Sequence, residues 1–140
     1  MKRILISAFC LLTAWTMAAQ DGGNVFRAYL YNNSYEVYMR INFYEQNIEI
    51  AAQPLYGQLP GYLGKKNNPF CWPITSVRLK DGKHAELQMI NDLGSEDLEA
   101  TLECVNDSTY LLRQGKGSTI SVPRNGKWQK LPKILELKRR

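Results

Sequence analysis

The strongest constraint on the fold is a strict two-residue alternation of apolar and polar side chains over residues 35–44. One face of this stretch carries Tyr35, Val37, Met39, Ile41 and Phe43, and the other carries Glu36, Tyr38, Arg40, Asn42 and Tyr44. Side chains of a β-strand point alternately to opposite faces, whereas those of a helix repeat every 3.6 residues. The pattern therefore predicts a strand with one buried face.

A second alternating stretch spans residues 97–104, where the outer face is almost wholly acidic. Weaker runs lie at residues 25–31, 48–52, 74–79, 83–90, 109–114, 119–122 and 134–138, and short turn signals separate nearly all of them. Short connections favour antiparallel neighbours over crossover helices. The sequence therefore predicts an all-β domain, a small antiparallel up-and-down barrel or a sandwich of about eight to ten strands.

The length of each hairpin loop predicts which residues face each other across the hairpin. A three-residue loop over residues 80–82 keeps the apolar sets on one face. It places Val77 opposite Ala85 and His84 on the outer face, opposite Arg78.

The same test on the turn at residues 106–108 places Thr101 beside Arg113 on the outer face. Arg113 then has Glu99 and Glu103 as diagonal neighbours, which supplies a counter-ion for the acidic face. We therefore interpret most of the acidic run as a solvated sheet face.

The N-terminus has the three parts of a cleavable signal peptide in order. Lys2 and Arg3 are followed by an apolar run over residues 4–15 and then by Ala18 and Ala19. This run is shorter than the roughly 20 residues that cross a bilayer. We predict a signal peptide over residues 1–19, a single β domain over residues 20–140 without a membrane span, and an exported protein, secreted or periplasmic.

Removal of Lys2 and Arg3 lowers the formal charge of +5 by two, so the precursor overstates how basic the exported protein is. Residues 91–107 are acidic, and residues 113–140 hold nine basic residues opposed only by Glu136. Because export separates the protein from nucleic acid, we expect the partner to be a small ligand or an extracellular protein.

The size and strand number resemble the lipocalin-like barrels, which hold a ligand or a partner protein. The resemblance is one of architecture. Because the Gly-x-Trp signature of lipocalins is missing near the first strand, it implies no site residues here.

Residues 53–73 break the regular pattern with four prolines, three glycines and the aromatic residues Tyr56, Tyr62, Phe70 and Trp72. A long loop inside a compact domain is usually functional or a sign of a missed element. One interpretation is a missed strand over residues 56–63, with the aromatics in the core. The other is a binding lip, because aromatics on a proline-rich backbone offer flat contact surface. These four aromatics are our predicted ligand-binding residues.

Cys71 and Cys104 are the two cysteines that remain after signal cleavage. An exported protein favours a disulfide between them. The predicted strand order instead places them at opposite ends of the sheet, beyond the roughly 7 Å between α-carbons that a disulfide allows. Both the bridged and the free state stay open at this stage.

Catalytic patterns are weak. His84 is the only histidine, which excludes a site with several histidine ligands. A nucleophilic pair of Cys71 and His84 requires spatial proximity that no pattern indicates, and Glu99 and Glu103 lie on an exposed strand face. We predict no catalytic residues, no metal and no cofactor.

We therefore expect a non-enzymatic binding protein, in one of two versions. In the first, the lip or the barrel interior holds a small apolar or glycan ligand. In the second, the domain is a protein-interaction module such as an inhibitor of an extracellular hydrolase. The inward positions Tyr35, Val37, Met39 and Leu102 discriminate between them, since they line an open cavity in the first version and a filled core in the second.

Overall fold

The computed structural model describes residues 24–140, so the predicted signal peptide over residues 1–19 lies outside the described residues. Within residues 24–140 the elements are β-strands apart from one 3-10 turn at Pro54–Tyr56. The strands are β1 Arg27–Asn32, β2 Val37–Asn42, β3 Ile48–Glu49, β4 Gln58–Leu59, β5 Gly61–Lys65, β6 Asn68–Leu79, β7 His84–Ile90, β8 Asp97–Asn106, β9 Thr109–Gly117, β10 Ser121–Arg124, β11 Lys127–Lys130 and β12 Ile134–Arg139. No helix in this range is long and apolar enough to cross a bilayer.

Eight strands close into an antiparallel barrel in the order β1-β12-β9-β8-β7-β6-β5-β2. The other four strands form two hairpins, β3–β4 and β10–β11. With these hairpins set aside, neighbours in the barrel are also neighbours along the chain, so the barrel is up-and-down. The predicted all-β fold is confirmed, and of its two versions the closed barrel is the right one.

The connections between barrel strands alternate between two rims. Residues 33–36, residues 66–67, residues 91–96 and the β10–β11 hairpin lie at one end, which we call the hairpin rim. The other end, the terminal rim, carries the start of β1 and the end of β12. There the Arg139 guanidinium donates a hydrogen bond to the Asn24 carbonyl at 3.2 Å, so the chain enters and leaves the barrel side by side.

The barrel interior is filled by the inward-facing side chains of all its walls. Val37, Met39 and Ile41 on β2 and Leu98 and Leu102 on β8 are at most 2% exposed. They belong to one continuous apolar cluster, against which Tyr35 packs from the edge. Burial of each such side chain contributes about 1.5–3 kcal/mol to folding. The predicted buried faces of both strands are confirmed.

The predicted register between β8 and β9 is confirmed. Thr101 pairs with Arg113, and the Arg113 guanidinium donates to Glu103 Oε1 at 3.2 Å. The alternation of β8 and the short turn after it fix both the face and the register. The acidic face of β8 therefore has its counter-ion on the neighbouring strand.

The predicted register between β6 and β7 is wrong by two residues. Val77 pairs with Leu87 rather than Ala85, and Arg78 pairs with Glu86 rather than His84. The turn is wider than three residues because the Asp81 carboxylate accepts the backbone N–H of Lys83 at 2.8 Å. A shift of two residues keeps each side chain on its predicted face.

The proline-rich stretch at residues 53–73 is mostly strand. It contains the 3-10 turn, β4, β5 and the first half of β6, so the interpretation as a missed strand is the closer one. Pro69 and Pro73 precede Ile74, where the pairing of β6 with β7 begins. Proline is tolerated there because that part of β6 is paired on one side only.

Candidate functional site

The four predicted ligand-binding aromatics lie in two separate places. Tyr62 is buried on the outer side of the barrel wall, where Tyr56 covers it in part. Trp72 is buried in the barrel interior, and Phe70, two residues earlier on β6, packs against the edge of the same cluster. The alternation of a strand explains the pairing of Phe70 with Trp72, because residues i and i+2 share a face.

The outer side of β5 and β6 is covered by residues 43–60, which we call the outer segment. This segment includes β3, β4 and the 3-10 turn. A small apolar cluster forms beneath it from Ile50, Leu59, Tyr62 and Cys71. This part of the barrel wall is therefore apolar on both faces. A sequence prediction that assigns only one face of each strand to the core does not anticipate it.

Asp92, on the hairpin rim, holds the outer segment in place. Its Oδ1 accepts a hydrogen bond from Gln53 Nε2 at 2.7 Å, and its backbone carbonyl accepts one from the Tyr56 hydroxyl at 3.0 Å. Burial raises the pKa of the Asp92 carboxyl above its ordinary value of 3.8. The segment is thus attached to a carboxylate whose charged form is disfavoured by its surroundings.

Replacement of Asp92 by asparagine is expected to remove one contribution that lowers stability as pH rises. A carboxyl with a raised pKa in the folded state stabilises the fold most below its unfolded pKa, and this contribution is lost as pH rises through the folded pKa. Asparagine does not titrate, and its carbonyl still accepts the bond from Gln53. Urea unfolding between pH 3 and pH 7 should show Asp92→Asn gaining stability relative to wild type as pH rises. A difference that is constant or shrinks with pH would contradict this assignment.

Cys71 and Cys104 are both free and buried. Cys71 lies in the outer cluster, and Cys104 belongs to the barrel core, where its thiol donates to the Asn106 carbonyl at 3.2 Å. Burial, followed by the nearby Asp92 carboxylate, raises the pKa of the Cys71 thiol to about 12. Because the thiolate is the reactive form, these surroundings disfavour nucleophilic reactivity at Cys71.

His84 lies on the outer face at the start of β7, as predicted, but its surroundings differ from the prediction. Its Nδ1 is 2.9 Å from Asp81 Oδ1, and its Nε2 is 3.6 Å from Glu103 Oε2. Cys71 is on another strand beneath the outer segment, so the structure does not bring these two residues together. Among residues 24–140, no group of three or more histidine, cysteine and acidic side chains is placed to hold a metal ion.

The hairpin rim carries an aromatic cleft of about 210 Å³ between residues 91–96 and the β10–β11 hairpin. We call it the rim cleft. It is lined by Phe70, Trp72, Asn91, Leu93, Glu96, Ser121 and Trp128. Two of the predicted aromatics, Phe70 and Trp72, thus contribute to one site, and Tyr56 and Tyr62 are not among its lining residues.

Both walls of the rim cleft are held by specific hydrogen bonds. Trp72 Nε1 donates to the Ser121 carbonyl at 3.0 Å, which fixes β10 to the barrel. On the other side, Asn91 Oδ1 accepts the backbone N–H of Ser95 at 2.9 Å and orders the loop that carries Leu93. These bonds give the cleft a fixed shape.

Trp128 is the site residue that the sequence did not identify. Its ring contacts Phe70 edge to face, with the ring centres 5.0 Å apart. Asn125 and Gly126 both have positive φ and form the tight turn of the β10–β11 hairpin. A tryptophan between Lys127 and Gln129, just after such a turn, is the signal that could have indicated an exposed aromatic.

Comparison with known proteins gives no match. No protein family model, no curated protein and no solved structure matches the chain. The function is therefore argued from the geometry of the site.

Proposed function

We propose that this chain is an exported, non-enzymatic protein-interaction module that contacts its partner through the rim cleft. The observation that carries the proposal is the exposure of two large apolar side chains beside the cleft, since Leu93 is 86% and Trp128 64% exposed. Exposed apolar groups that lie close together are typical of interaction sites. The N-terminal sequence, with Lys2 and Arg3 before an apolar run, supports export.

The shape of the site favours a macromolecular partner over a small ligand. Small-molecule pockets are concave and enclose most of the ligand surface. Leu93 and Trp128 instead project from the cleft, so only a larger surface would cover them fully. The barrel interior supports the same choice, because Met39 and Leu102 are completely buried within a filled core.

The charges beside the rim cleft give it two unlike sides. Lys130 lies two residues after Trp128 on the same face of the hairpin, and Glu96 lies on the opposite wall. A partner that presents an apolar side chain between an acidic and a basic group would match both sides. An extracellular hydrolase, with the module as its inhibitor, is the version we propose to test.

The proposal predicts that replacement of Trp128 by alanine weakens partner binding by about 30-fold or more, the effect of a central aromatic contact. The partner is isolated from the extracytoplasmic fraction on immobilised protein, and its affinity and hydrolytic activity are then measured with purified components. Leu79→Ala is the matched control, because Leu79 is also exposed but lies at the far end of β6. Equal affinity of the Trp128→Ala variant and wild type, with the fold intact, would refute the proposal.

A second candidate function is the binding of a small apolar or glycan ligand in the rim cleft. The aromatic lining by Phe70, Trp72 and Trp128 supports it, because aromatic surfaces give flat contact area to such ligands. Native mass spectrometry of the protein purified from its source distinguishes the two candidates. A bound small molecule that is lost in the Trp128→Ala variant would favour this second candidate.

A further inference from the structure

A second cleft, of about 220 Å³, lies on the outer face of β1 and β2 close to the hairpin rim. We call it the tyrosine cleft. Its lining includes Tyr29, Tyr31, Tyr38, Lys66 and Arg140. We propose that the tyrosine cleft binds a saccharide that carries carboxylate groups, such as an oligomer of uronic acid. This goes beyond the proposed function, because the tyrosine cleft and the rim cleft have no lining residue in common.

The aromatic wall of the tyrosine cleft is rigid. Tyr29 stacks on Tyr38 with the ring centres 5.5 Å apart and the planes only 7° from parallel, and Tyr38 packs edge-on against Tyr62. Gly64 lets the Tyr38 ring lie against the barrel wall, since a Cβ at this position would fall 2.5 Å from the ring. A preorganised wall loses little freedom when a ligand packs on it.

Arg140 is placed to recognise an acidic group. Its guanidinium lies over the rings of Tyr29 and Tyr31, at 5.0 and 5.8 Å from their centres. The N–H donors of a guanidinium lie in its plane, so contact with the aromatic faces leaves them available for a carboxylate. Within residues 24–140, the Arg140 side chain has no hydrogen bond or ion pair to an acidic group.

The remaining charges of the cleft also favour an anionic ligand. Lys66 lines the cleft, and its ammonium has no ion-pair partner within the part of the chain that the structure describes. The one acidic side chain in the lining, Glu36, is already paired with Lys65 at 3.1 Å. This hydrogen bond lowers the pKa of the Glu36 carboxyl and so favours its ionised form, and the negative charge already has a partner in Lys65. Two cations are therefore left for the ligand.

The polar residues of the tyrosine cleft suit a sugar rather than a simple anion. Asn33 and Asn67 come from the two turns at its edge, and their carboxamides can both donate to and accept from hydroxyl groups. An inorganic anion has no apolar surface to pack on the tyrosine rings, and neither has an acidic peptide without aromatic side chains, such as a polyglutamate. A uronate uses all three features: ring faces, hydroxyl groups and carboxylate.

The experiment is a calorimetric titration with tetragalacturonate, accompanied by backbone amide NMR shifts. Two matched probes separate the contributions, since the methyl ester of the same tetramer keeps the rings without the charge and hexaglutamate keeps the charge without the rings. We expect saturable binding of tetragalacturonate, with shifts at residues 29–38 and 66–67, and at least tenfold weaker binding of both comparison probes. Equal binding of hexaglutamate would overturn the assignment to a saccharide, and so would the absence of saturable binding by tetragalacturonate.

Single substitutions test the two kinds of contact separately. Tyr31→Ala removes an aromatic face, and Lys66→Gln removes a charge at an exposed position, so neither disturbs the barrel core. Each is expected to weaken tetragalacturonate binding at least fivefold. Lys83→Gln is the charge-matched control, because Lys83 is exposed in the turn before β7 on the terminal rim. Equal weakening in Lys83→Gln would mean that the ligand responds to net charge alone, which would overturn the site.

Discussion

Replacement of Trp72 by alanine is expected to lower the free energy of unfolding by about 3–5 kcal/mol, the usual cost of removing a large aromatic side chain from a core. Trp72 is 1% exposed and packs in the main apolar cluster of the barrel. The substitution also leaves the Ser121 carbonyl without the hydrogen bond from Trp72 Nε1. Chemical denaturation with an unchanged m-value would measure the loss directly.

Two variants separate the causes of this loss. Phe70→Ala, on the same face of β6, removes a half-buried ring and should cost clearly less than Trp72→Ala. Trp72→Phe retains an aromatic ring but loses the N–H donor, so its effect combines the cost of a smaller ring with that of the hydrogen bond, worth about 1–3 kcal/mol if the Ser121 carbonyl stays unpaired. Should Trp72→Ala prove no more destabilising than Phe70→Ala, Trp72 would not be the core residue that the structure describes.

Replacement of Gly117 by alanine is expected to be the most disruptive glycine substitution in the barrel. Gly117 has φ +108, and a Cβ there would lie 2.4 Å from the Asp97 carbonyl oxygen. Such backbone strain costs about 1–3 kcal/mol, and forcing extra atoms into a packed site costs typically another 1–3 kcal/mol. The nearest atoms, the Asp97 carbonyl oxygen and Leu98 Cα, belong to the backbone of β8, which pairs with β9 at this point, so relief requires the two strands to separate.

Gly82→Ala is the control for Gly117→Ala. Gly82 has no atom within 4 Å of the added Cβ and no positive φ. The substitution should therefore be neutral or stabilise the fold slightly, by about 0.4–1 kcal/mol, through the unfolded chain. Thermal and urea unfolding of both variants would test the difference. Equal stability of the two variants would show that the β8–β9 contact at Gly117 is looser than described.

The parts of the fold that sequence predicts well are those set by local rules. The alternation of β8 and the short turn at residues 106–108 fix the pairing of Thr101 with Arg113, because a one-residue slip would expose the apolar face. The same rules do not predict the β6–β7 register, because it depends on a hydrogen bond between the Asp81 side chain and the backbone of its own turn. A loop length alone does not contain that information.

The candidate site is less predictable because it depends on which elements cover which faces. Tyr62 and Trp72 point to opposite sides of the same wall, and both are buried because the outer segment covers one side. The alternation of side chains predicts one buried and one solvent-exposed face, so it does not predict a wall that is buried on both sides. Trp128 enters the rim cleft only through the docking of the β10–β11 hairpin against β6, which is a tertiary contact.

The side-by-side entry and exit of the chain at Asn24 and Arg139 has a practical consequence. Anything joined to the protein before Asn24, whether a purification tag, a fused domain or a surface tether, connects at the terminal rim. The rim cleft lies at the other end of the barrel and would face outward from such an attachment. Immobilisation through the N-terminal side therefore orients the protein for capture experiments without blocking Leu93 or Trp128.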